Sequence, residues 1–201
     1  AIALEIGSTI FQQKDYHGMI SGLMKEPRFL LFLRNTRSFT FKSIEPVDSI
    51  SIAVKNSKYG LEVYRNEELS ASYIREEFVI NIGNDEFEKA GLNFKRRELE
   101  GGKIEFYDNN GLRLENIPEK LGRLQSTVVS FAAKVSGTSI EELSKDETIL
   151  FNYLPTSDQR FGFPFLVNAD FVSKTDREFI QIENKWNHYI FYHIGINCIR
   201  W

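Results

Sequence analysis

The sequence predicts an α+β fold, a mainly antiparallel or mixed sheet with helices at the start, middle and C-terminal end. Three observations carry that prediction. Between residues 39 and 82 apolar side chains fall on every second position, in Phe39 and Phe41, Ile50 to Val54, Leu61 and Val63, then Phe78, Ile80 and Ile82. That is the period at which a strand alternates its faces. Phe163, Phe165, Val167, Ala169 and Phe171 repeat the pattern late in the chain, and Phe179, Ile182, Trp186 and Ile190 follow as a helical stripe. Strands grouped in runs, rather than alternating one for one with helices, point to α+β and not to a parallel α/β sheet.

Taken in order, residues 1–28 read as a helical lead-in from an upstream domain, with Ile6, Ile10, Ile20, Leu23 and Met24 at helical spacings and Pro27 as the stop. The chain opens on Ala1 without an initiator Met and reads as a piece of a longer or processed chain. Residues 29–83 form the first part of a β-rich module. Its continuous apolar run Phe29 to Leu33 predicts a strand buried on both faces. The meander follows, with Asn56 to Gly60 supplying turn chemistry.

Residues 84–102 are a soft boundary, with a short helix from Asp85 to Ala90 ended by Gly91 and loop beyond it. Residues 103–201 form the second part of the module. Ile104 to Tyr107 is a short strand closed by the turn Asp108-Asn-Asn-Gly111, and Ile117 to Leu124 a helix opening near Pro118. Val129 to Val135 and Thr148 to Tyr153 read as strands. After the strand from Phe163 to Phe171, Thr175 with Glu178 reads as a capping box that starts the last helix, and Gly195 as its end.

Composition excludes several function classes. A formal net charge of −3 over 201 residues exerts no long-range pull on nucleic acid or an anionic membrane. Lys95-Arg96-Arg97 is followed at once by Glu98 and Glu100 and reads as a solvated charged turn. The aromatic residues lie on core faces rather than among basic ones, which argues against base stacking. No apolar run reaches membrane-spanning length and no signal peptide is visible. The single Cys198 fits a reducing, cytoplasmic setting and reads as a terminal packing thiol. His188 and His193 stand five apart, which turns them away from a shared metal-binding face. No nucleophile elbow or phosphate-cradling glycine loop is present.

Leu154-Pro-Thr156, the run Gly162-Phe-Pro-Phe-Leu-Val-Asn-Ala-Asp-Phe171 and Trp186-Asn187 resemble the segment after the nucleotide-binding domain in sacsin-like, heat-shock-chaperone-like ATPases of the GHKL superfamily. Phe29 to Asn35, and Ile117 to Lys120 with Val129 to Lys134, match the same proteins in the same order. The resemblance covers roughly residues 29 to 190, and its specific part is Pro164 to Phe171. It implies the middle, or transducer, portion of a longer ATP-binding protein, without catalytic activity alone. ATP and magnesium then belong to the parent protein, and the first partner is the preceding nucleotide-binding domain. A homodimer or a client protein is a further partner it allows.

A nucleotide pocket of that superfamily needs a helical Glu and Asn four apart and an Asp-x-Gly-x-Gly loop. Glu77 and Asn81 have the spacing, but they fall in a segment that alternates as a strand, and Asp108-Asn-Asn-Gly111 lacks the middle glycine. The pocket is therefore expected outside this chain. Superfamily members complete it from the next domain, with a Lys, Arg or Gln reaching the terminal phosphate. This implies nucleotide-sensing roles for Gln159, Arg160 and Arg177, supported by Asn168 and Asp170. A guanidinium suits phosphate because its donors form a rigid fork. The plainer reading leaves Arg160 as an exposed loop residue and pairs Arg177 with Asp170, Asp176 or Glu178. A self-standing interaction module without nucleotide sensing, using the exposed face of the 39–65 meander, is the alternative from another class. An independent small-molecule enzyme would need a deep pocket converging on Asn168, Asp170 and the Gln159-Arg160 loop.

Overall fold

The structure is a computed structural model that describes residues 18, 20, 22–43, 48–175 and 178–201. Alternation of apolar and polar side chains builds the first four strands. Ser38–Ser43 (β1), Asp48–Ser57 (β2), Gly60–Arg65 (β3) and Glu68–Asn81 (β4) run antiparallel, each beside the next. Asn66 and Glu67 both take positive φ, 48° and 68°, in the two-residue turn between β3 and β4. That conformation matches the turn to the strands' right-handed twist. Gly60 starts β3 at φ 147°, where a Cβ would sit 2.2 Å from the Tyr73 carbonyl oxygen. Any other residue there must push the β3–β4 pair apart.

Asn84–Lys89 (α1) leads to a separate two-stranded sheet, Phe94–Glu98 (β5) against Ile104–Asp108 (β6). After the short helix Glu119–Gly122 (α2), the chain returns to the main sheet with Ser126–Ser136 (β7). β7 pairs with β4 over ten residues, from Ser72 opposite Val135 to Asn81 opposite Ser126. The remaining elements are Ser139–Glu141 (β8), Leu150–Asn152 (β9), Leu154–Pro155 (β10), Leu166–Asn168 (β11) and the closing helix Lys185–Arg200 (α3). The sheet has the order β1-β2-β3-β4-β7-β11-β9-β10, with β8 also on β7. It is mixed, because β11 runs parallel to β9 and antiparallel to β7.

Period two sends neighbouring residues to opposite faces, and each face has its own core. Ala132 and Leu166 join Ile52, Val63, Tyr73 and Leu30 on one side. Phe131 and Val167 join Phe165, Trp186 and Ile190 on the other. Phe87 of α1 and Phe94 of β5 belong to that second core, their rings 4.5 Å apart. The expected burial of Phe165, Val167, Phe171 and Trp186 is present, at 8%, 0%, 4% and 0% exposure. Among the described residues no helix is long and apolar enough to cross a membrane.

Several sequence expectations need correction. Phe29 to Leu33 is not a strand, because Pro27–Leu31 is a 3-10 helix whose first residue is the proline. Glu26 caps it by accepting from the Arg28 amide, while the helical turn before it ends at Met24, ahead of Pro27, as expected. The expected loop after Gly91 contains β5, so Lys95-Arg96-Arg97 lies on a strand. The strand expected from Phe163 to Phe171 is only Leu166–Asn168. The last helix starts at Lys185, not Thr175, with the Asn184 side chain accepting from the Trp186 amide. Gly195 lies inside that helix, which runs on to Arg200. Cys198 is exposed rather than packed. The lead-in expectation for residues 1–17 lies outside the described residues.

Candidate functional site

The loop between β10 and β11 is built around a buried carboxylate. Thr156 starts it by donating its hydroxyl to the Leu150 carbonyl at 2.8 Å, and that hydroxyl also accepts from the Asp158 amide. Asp158 is fully buried. Its Oδ1 accepts from Arg160 Nε at 2.7 Å, and its Oδ2 accepts from Arg160 Nη2 and from the Ile180 amide at 3.1 Å. Arg160 Nη2 also donates to the Ile180 carbonyl at 3.2 Å. The guanidinium lies 5.7 Å from the Phe161 ring and 5.8 Å from the Phe179 ring. Arg160 therefore ties its own loop to the 178–180 segment, while 46% of its side chain stays exposed.

Burial opposes the charge on Asp158, but the Arg160 guanidinium and the Ile180 and Arg160 amides overcome it and hold the carboxyl below its ordinary range. A carboxylate depressed by folding stabilises the native state above its unfolded pKa and loses that contribution as pH falls through the folded one. The loop should therefore loosen as pH drops below about 4, the unperturbed carboxylate range. Thermal melts across that window should show a steeper loss of stability for the native chain than for Asp158→Asn, whose side chain does not titrate. Parallel curves would remove Asp158 from the account.

Gln159 is exposed and makes a long contact from Nε2 to the Asp146 carbonyl, 3.4 Å. Arg177 lies outside the described residues. Asn168 and Asp170 act elsewhere, around Tyr153. The Asn168 side chain is buried and accepts from the Tyr153 amide at 2.8 Å, holding Tyr153 at φ 63°. A positive φ is uncommon for an aromatic residue and persists only where neighbours impose it. The Asp170 carboxylate accepts from the buried Thr127 hydroxyl at 2.6 Å and lies near the Tyr153 hydroxyl. Burial, then the Asp170 charge, pushes the Tyr153 hydroxyl up to about 12.

A cleft of about 530 Å³ opens beside this cluster, between α2, the β9–β10 hairpin and the 170–175 segment. Asp170 and Tyr153 line it, whereas Gln159, Arg160 and Asn168 do not. Of the four sensing and supporting residues that are described, only Asp170 lines this cleft. Among the described residues no three His, Cys, Asp or Glu side chains gather as metal ligands.

The residues that carry the resemblance lock the 170–172 segment after β11 to α3. Trp186 donates its indole N–H to the Asp170 carbonyl at 2.7 Å. Asn187 accepts from the Val172 amide and donates to the Val172 and Gln181 carbonyls. Asp158 and Lys174 carry no periodic or motif signal. The one sequence cue for Asp158 was its place two residues before Arg160. No family model matches the chain, and no curated protein or solved structure matches it significantly.

Proposed function

We propose that this chain is the transducer portion of an ATP-binding protein similar to the sacsin-like ATPases of the GHKL superfamily. It senses the nucleotide state of a preceding domain and passes that state on as domain rotation. ATP and magnesium sit in the parent's nucleotide-binding domain, and this portion alone is not an enzyme. The observation that carries the reading is the way Arg160 is presented. Its Nε and Nη2 are fixed by a fully buried Asp158, yet nearly half the side chain faces solvent on a short loop. A cation held in place before its ligand arrives loses little freedom on engaging a phosphate.

Glu77 and Asn81, which have the spacing of the superfamily's catalytic pair, both lie on strand β4. On a strand they face the same side without the geometry of a helical turn, which favours placing the nucleotide pocket in another domain.

Hydrogen exchange on the intact parent protein tests this reading. Amides of the 157–163 loop should exchange more slowly with a non-hydrolysable ATP analogue and magnesium than with ADP. Equal exchange in the two states would count against nucleotide sensing here and favour the self-standing interaction module.

A further inference from the structure

We infer that His193 is an acid-sensitive latch between α1 and α3, whose protonation releases the contact between the two helices. The inference stands apart from the nucleotide-sensing reading and uses none of its residues. It starts from a single atom. Among the described residues, His193 Nε2 is the buried side-chain nitrogen that has no hydrogen-bond partner. Folded chains rarely leave such an atom without a reason.

The ring packs against the two side chains that join α3 to α1. It meets the Tyr189 ring edge-on at 4.6 Å and the Tyr192 ring at 5.2 Å. The Tyr189 hydroxyl donates to the Asn81 carbonyl just ahead of α1, and the Tyr192 hydroxyl donates to the Lys89 carbonyl at 3.2 Å. The Phe87 ring of α1 lies 4.9 Å from that of Tyr189. A change of charge on His193 is therefore felt at the joint itself.

An imidazolium carries an N–H on both nitrogens, so protonation puts a charged donor at Nε2 with no acceptor to receive it. Burial is the main influence on the ring and holds its pKa below the ordinary histidine range. Glu86 of α1 acts the other way, but it is paired with Lys89 at 2.6 Å, and Arg200 of α3 adds repulsion. Burial pushes the Tyr189 hydroxyl up, so that group stays neutral. A histidine whose pKa falls on folding is neutral in the closed joint and takes up its proton in the open one. The joint is therefore secure above about pH 6.5, the ordinary histidine value, and weakens as pH falls below it.

Amide hydrogen exchange on the whole chain, corrected for the intrinsic effect of pH, tests the inference. The reporters are the Ala90, Gly91 and Leu92 amides, which donate to carbonyls of α1. Their exchange should quicken by about 3-fold to 8-fold between pH 7 and pH 5.5, the upper figure being the limit for one proton taken up near pH 6.5 in the open state. His193→Phe keeps a ring that cannot be protonated and should abolish the increase, whereas His188→Gln should retain it. NMR titration of the His193 ring in the native chain needs no variant, and the ring should charge below the ordinary range. A ring that charges at or above pH 6.5, or the same acid response in His193→Phe, would overturn the proposal. An equal rise at the Val54 amide of β2 would overturn it too, because the whole chain rather than the joint would then be opening.

Discussion

Replacing Trp186 by alanine should unfold the chain at a much lower urea concentration, with a loss of about 3–5 kcal/mol from the cavity alone. The indole is fully buried, and its ring stands 6.1 Å from that of Tyr189 in the core under α3. A second cost adds to the cavity. The Asp170 carbonyl loses the donor that sits 2.7 Å away, which is worth about 1–3 kcal/mol when no water can replace it. Trp186→Phe separates the two, because it keeps most of the volume and loses the N–H. It should recover more than half of the loss. Chemical denaturation of both variants is the measurement. A cost below about 1 kcal/mol for the alanine variant would mean that α3 does not hold the 170–172 segment in place.

That lock is also where sequence and structure part company. The meander was legible because one face of each strand meets the core and the other meets water, so Ile50, Ile52 and Val54 announce their period directly. Phe29 to Leu31 was not, because an unbroken apolar run looks the same as a buried strand or a buried turn. Pro27 and the Glu26 cap decided it locally, and Leu30 and Leu31 still reached the core. The start of α3 was misplaced for a tertiary reason. Phe179 and Ile182 have helical spacing with Trp186, but Ile180 is the buried residue of that stretch, and its amide is spent on Asp158. An isolated bridge between Ser173 and Ile180 replaces the expected helical turn. The candidate site was half legible in the same sense. The position of Arg160 on a loop before a buried strand could be read from the sequence. Its anchoring could not, because a single Asp in a loop carries no period, and only the fold brings Ile180 to it.

If the chain belongs to an ATP-hydrolysing parent, as proposed, Arg160→Ala in that parent should lower turnover by about 10-fold to 1000-fold, the usual loss for one charged stabiliser of a transition state. Nucleotide affinity should change less, since a group recruited by domain closure acts mainly on the transition state. The structure adds a complication that the experiment must separate. Arg160 is the main countercharge of Asp158, so its removal also leaves a buried carboxylate without its partner. For a pair whose cation is 46% exposed, that destabilisation should be about 1–3 kcal/mol, below the range for a fully buried pair. Arg160→Lys keeps a charge but cannot reproduce the fork on Asp158, and should lose turnover with a smaller loss of stability. Gln159→Ala removes only a long contact to the Asp146 carbonyl and should leave stability unchanged. A turnover loss in Gln159→Ala at native stability therefore isolates phosphate sensing from packing. Single-turnover hydrolysis and thermal melts on the same preparations give both readings. If Arg160→Ala loses stability but, while still folded, hydrolyses ATP at the native rate, Arg160 is a structural clamp and this loop does not read the phosphate.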